Sequence, residues 1–120
     1  MALRSYKELE VWQKAMLLVG AIYRITDGFP KDERFGLTQQ MRRAAVSIPA
    51  NIAEGYGRKH RGDYVHHLSI STGSLYELDT HTDIALLLGY VKAEDAQKAS
   101  VLMADVRMML SRLKQSLDMK

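Results

Sequence analysis

A chain of 120 residues that is 47% apolar and 26% charged has room for one domain with one modest core, and its composition argues against disorder. With no cysteine it has no disulfide, no thiol nucleophile and no thiolate metal site, which fits a reducing cytoplasm. A formal net charge of +3 permits an anionic partner without demanding one. The opening residues, MALRSYKELEVW, are charged almost at once and contain no apolar stretch of signal-peptide length. The longest greasy run, IALLLGYV at 84–91, is too short to cross a bilayer. These features point to a cytoplasmic protein that makes no use of a membrane.

The chain divides into four amphipathic segments with no internal repeat and no linker, which predicts a single domain over 1–120. The first segment is expected from Tyr6 to Thr26, with Ser5 and Glu8 as a capping box at its start. One apolar stripe on it is Leu9, Trp12, Met16, Val19 and Tyr23; a second is Val11, Ala15, Leu18, Ile22 and Ile25. At 100° per residue the two merge into an arc of roughly 200°, wider than the ~100° that an outer helix of a monomeric bundle needs. Deep burial within a monomer would account for such an arc, and so would a second packing face. The expectation taken is an oligomer in which Val11, Leu18 and Ile22 bury against a neighbouring subunit.

The break DGFPKDERFG follows, with Gly28 and Pro30 as terminators. The second segment is expected over 37–56, with a core stripe of Leu37, Met41, Ala44, Ile48 and Ile52. Pro49 lacks an amide, so the carbonyl of Ala45 loses its helical partner. Either the helix kinks there or two short helices abut, and flanking alanines favour the kink. Gly55 and Gly57 close it. The third segment is expected over 60–88. Its SISTGS stretch is small, and Gly73 costs about 1 kcal/mol relative to Ala in a helix, tolerable where another backbone approaches closely. The fourth, over 94–117, spaces Ala96, Ala99, Met103, Val106, Leu110, Leu113 and Leu117 by three and four, the period of a bundle seam. Four helices with short connections predict an all-α, up-down four-helix bundle with a Pro-kinked second helix.

Catalytic and metal motifs are absent. His66 and His67 diverge by about 100° on a helix and do not easily share an ion. Glu77 and His81 are four apart, but no Glu-x-x-His occurs anywhere, so a carboxylate-bridged metal pair is not expected. EGYGRK lacks phosphate-loop spacing, and no serine sits in a nucleophile elbow. The expectation is a protein that is not an enzyme and needs no cofactor. The Arg-Gly-Asp at 61–63 falls in the first turn of a helix, where Asp63 suits the helix dipole. A basic cluster remains: Arg42, Arg43, Arg58, Lys59 and Arg61, interleaved with Tyr56 and His60. Such a cluster binds phosphates, with an aromatic ring for stacking, or it is simply a solvated corner between helices. Arg43 also lies where it would pair with Glu54 or Glu77.

The segments LEVWQKA at 9–15, FP at 29–30, LTQQMRRAAVSIPANIAEG at 37–55, GSLYEL at 73–78 and LGY at 88–90 occur in an order and spacing that resemble a bacterial four-helix-bundle family. That family was first noted in reading frames inside intervening sequences of large-subunit ribosomal RNA genes. Its fold also resembles that of the accessory protein of diversity-generating retroelements, a pentameric barrel that binds nucleic acid and works with a reverse transcriptase. The resemblance implies a ring-like homopentamer that binds RNA or DNA, with a protein partner such as a reverse transcriptase; the basic cluster then offers Arg42, Arg58, Lys59 and Arg61 as the binding residues. The alternative is an oligomeric scaffold for another protein, with no nucleic-acid role. One departure is His60, where the family usually has Ser or Thr, so the start of the third helix is expected to fray or shift.

Overall fold

Four long helices account for most of residues 4–118, the part of the chain that the computed structural model describes. They are α1 (Glu10–Asp27), α2 (Leu37–Tyr56), α3 (Arg61–Leu87) and α4 (Ala93–Asp118), and no strand occurs among the described residues. The outer ends of the expected domain, residues 1–3 and 119–120, lie outside the described residues. Each helix packs on its neighbours in chain order and α4 closes back on α1, while the diagonal pairs stay apart. This is the arrangement of a four-helix bundle, drawn out to 46 × 25 × 21 Å. No helix among the described residues is long and apolar enough to cross a membrane.

The starts of α1 and α3 fall later in the chain than expected. Ser5 caps only a short 3₁₀ turn at Tyr6–Glu8, its hydroxyl accepting from the Lys7 amide at 3.1 Å. Leu9 then turns extended, so α1 begins at Glu10 rather than at Tyr6. α3 begins at Arg61, with His60 in the N-cap position and making no side-chain hydrogen bond there. α2 runs through Pro49 as one helix, so the chain does not form two short helices that abut there.

The core takes Leu18 and Ile22 from α1, Met41, Ile48 and Ile52 from α2, Leu68, Leu75 and Leu78 from α3, and Met103, Val106 and Leu110 from α4. This corrects the expectation for α1. Val11, Leu18 and Ile22 are buried by the chain's own helices and are not available to a neighbour. The other stripe carries the open face: Met16 and Tyr23 are exposed, and Trp12 and Val19 are half-buried. Helical periodicity identified both faces but reversed their roles.

Gly73 is also corrected. A Cβ at Gly73 would meet nothing within 4 Å, whereas one at Gly55 would stand 2.9 Å from the His67 Cβ and 3.2 Å from the Tyr64 carbonyl oxygen. The close approach of α2 and α3 is therefore made at Gly55. Hydrogen bonds run up the same seam. Ser71 donates to the Ile48 carbonyl at 2.9 Å, Ser74 to the Ser47 hydroxyl at 2.9 Å, and Asn51 Oδ1 lies 2.9 Å from His67 Nδ1.

At one end of the bundle the α1–α2 and α3–α4 connections lock together. Glu33 accepts the Leu37 amide with one carboxylate oxygen at 3.1 Å and the Tyr90 hydroxyl with the other at 2.9 Å. That hydrogen bond raises the Tyr90 pKa, since ionising the phenol would set a second negative charge beside Glu33. Phe29 is buried with its ring 5.4 Å from that of Tyr90. The FP and LGY segments, remote in sequence, meet here. Gly89 makes the α3–α4 turn at φ 76°, the one positive φ among the described residues.

Candidate nucleic-acid interface

The basic cluster splits into two places about 21 Å apart, since fourteen residues of α2 separate Arg42 from Tyr56 at 1.5 Å each. Arg42 lies near the end where α1 meets α2. Its Nε donates to the Thr26 hydroxyl at 2.8 Å, and its Nη2 donates to the Tyr23 carbonyl at 3.4 Å. Its guanidinium sits 4.5 Å from the Tyr23 ring centre and 3.9 Å from the Asp27 carboxylate. A cation there caps the carbonyl end of α1 and suits its dipole. Arg42 is thus a clamp between α1 and α2 rather than a free phosphate ligand. The expectation that it joins Arg58, Lys59 and Arg61 in one surface does not hold.

Arg58, Lys59 and Arg61 do come together, at the opposite end, in the connection from α2 to α3 and the first residue of α3. All three are exposed. Arg58 pairs with Glu54 at 2.8 Å, one helical turn back and itself exposed. An exposed pair of this kind is worth ~0.3–0.5 kcal/mol, so it restrains Arg58 only weakly. Neither Lys59 nor Arg61 forms an ion pair among the described residues. Asp63 is exposed in the first turn of α3, so three cations stand here against two carboxylates. Behind them the Tyr56 and Tyr64 rings meet edge to face at 6.2 Å. Burial, and then the neighbouring Tyr56, push the Tyr64 phenol above its ordinary pKa, so it stays neutral well into alkaline solution.

Arg43 pairs with neither Glu54 nor Glu77. It is exposed and faces a groove of about 540 Å³ shared with Tyr23, Phe35 and Val46. Glu77 lies 3.9 Å from His81 on its own helix.

Sequence reading missed a further basic surface, between α3 and α4. Thr72 and Tyr76 form one wall; Arg107, Met108, Arg112 and Lys114 form the other. The signal for it is three cations within eight residues of the fourth segment, set among the apolar residues of its seam.

A family model described as 23S rRNA-intervening sequence protein matches residues 7–112. The fold is similar to the crystal structure of a protein of unknown function from the S23 ribosomal protein family of Bacteroides thetaiotaomicron. The two superpose with a TM-score of 0.81 at 19% identity, over 88% of this chain and 95% of that one. No curated protein matches this chain.

Proposed function

This chain belongs to the 23S rRNA-intervening sequence protein family, and for this member we propose an oligomeric, non-enzymatic nucleic-acid-binding role exercised through the basic corner between α2 and α3. The observation that carries the reading is the exposure of Lys59 and Arg61 without a carboxylate partner among the described residues, where α2 turns into α3 at the end of the bundle. Cations held this way meet phosphates rather than bases, so binding is expected to be weakly sequence-specific and steeply salt-dependent. Repetition around a ring would multiply a modest charge per chain by multivalency.

Self-association supplies the ring. The apolar residues left open on α1, on α2 and just before it, namely Met16, Tyr23, Val46 and Phe35, are those that a second copy would cover. Phe35 is 77% exposed, unusual for a phenylalanine in a protein that works as a monomer. A homopentamer is the assembly proposed, and sedimentation equilibrium should return the mass of five chains. A clean monomer at micromolar concentration would remove this part of the reading.

The binding test is a fluorescence-anisotropy titration with structured RNA and with duplex DNA at two salt concentrations. Affinity should fall steeply with salt. Charge reversal at Arg58, Lys59 and Arg61 should weaken binding for every sequence. Binding that these reversals leave unchanged would shift the role away from this corner.

A further inference from the structure

The groove between α3 and α4 is built differently from the corner. Along α4, Ala104, Arg107, Met108, Ser111 and Lys114 recur at helical spacing on one face, with Arg112 at its edge. Small Ala104 and Ser111 leave a depression of about 680 Å³ between the longer side chains. It runs about 15 Å along the helix, ten residues at 1.5 Å each. No carboxylate lines it, and neither Arg107, Arg112 nor Lys114 forms an ion pair among the described residues. Lys114 is nevertheless held in place, because its Nζ donates to the Thr72 hydroxyl at 3.2 Å while Thr72 donates to the Leu68 carbonyl at 3.0 Å. Tyr76 is 54% exposed, which leaves an aromatic side chain open to the groove.

We infer that this groove binds single-stranded nucleic acid. A track of unpaired cations follows a phosphodiester backbone, and an exposed aromatic ring beside it stacks an unpaired base, the combination by which strand-binding grooves work. Arg107, Arg112 and Lys114 hold phosphates; Tyr76, with Met108 flanking it, stacks a base; the hydroxyls of Thr72 and Ser111 lie within the same groove. Duplex bases are already stacked on each other and have no face to offer Tyr76, so the groove prefers single strands. The inference rests on the nucleic-acid reading above but assigns a second surface, between α3 and α4 rather than at the α2–α3 connection, with a different preference.

The experiment titrates labelled short oligothymidine, oligouridine and a duplex hairpin by anisotropy against the full chain. The proteins are wild type, R107E/R112E, Y76A, Y76F, and the corner variant R58E/K59E/R61E, each first checked by thermal melting. R107E/R112E should weaken single-strand binding by more than tenfold and leave the hairpin little changed. Y76A should weaken the strand roughly tenfold, the effect of losing one stacked base, and Y76F should restore it. A larger effect on oligouridine than on oligothymidine would assign the groove to RNA, and the reverse would assign it to DNA. Strand binding that the groove variants leave intact would overturn the groove while sparing the corner. Wild type that binds no nucleic acid at all would overturn both. Polyglutamate that binds as tightly as the strand at equal charge, with strand affinity unchanged in Y76A, would mean an acidic protein partner and would overturn the strand assignment.

Discussion

The seam between α2 and α3 and the seam between α1 and α4 hold the same bundle by different means. On the first, Ser47, Asn51, Gly55, Ser71 and Ser74 bring two backbones close, and three side-chain hydrogen bonds cross between helices. On the second, Ala15, Leu18, Ala99, Met103 and Val106 contribute apolar bulk. Only a part-exposed ion pair at 3.6 Å, Lys14 to Asp105, bridges those two helices among the described residues. The first seam specifies register and tolerates no added volume. The second supplies buried area and is sensitive to lost volume. The basic corner grows out of the first seam, so that its position depends on a close fit rather than on bulk.

Removing volume from α4 should have the largest effect. Leu110 is fully buried, and Leu110→Ala is expected to destabilise by ~2–5 kcal/mol, read by urea unfolding. Adding volume to the α2–α3 seam comes next. Gly55→Ala must push the Tyr64 backbone, at a typical cost of ~1–3 kcal/mol, offset by up to about 1 from alanine's helix propensity. A net loss of about 1–2 kcal/mol is expected, with the Tyr56–Tyr64 pair displaced in near-ultraviolet dichroism. If Gly55→Ala proved neutral, the close fit of this seam would be refuted.

The polar latch is smaller still. A double-mutant cycle of Asn51→Ala and His67→Ala should return a coupling of ~0.5–1.5 kcal/mol, the net value of one hydrogen bond. The same cycle on Lys14 and Asp105 should give less, since that pair is solvent-screened. Gly73→Ala should go the other way. With nothing within 4 Å of the new methyl group, it should stabilise the chain by up to about 1 kcal/mol. A loss instead would mean that a second copy packs against that face.

Most of the helical layout was legible from the chain. The 3.6-residue period and the Gly and Pro breaks placed α2 at its observed ends and put α3 and α4 within a residue of theirs. α1 was misplaced at its start because the Ser5 signal was real but local, capping a single 3₁₀ turn. The candidate site was less legible. Lys59 lies on a short connection and Arg61 opens the helix after it, where exposure follows from chain geometry. Arg42 lies inside a helix, where only the neighbouring helix decides what it meets.

Sequence alone determined where the helices lie, that four of them share one core, and that a cationic stretch separates the second from the third. Those properties depend on residues within a turn or two of each other, so periodicity and turn chemistry suffice. Only the tertiary structure decided which stripe of α1 faces inward, that Gly55 rather than Gly73 admits the neighbouring helix, and that Arg42 clamps α1 while Arg107, Arg112 and Lys114 stay unpaired. Each of these is a matter of which side chain a distant helix brings within a few ångströms. A period of 3.6 records which residues share a face, and carries no information about what that face will meet.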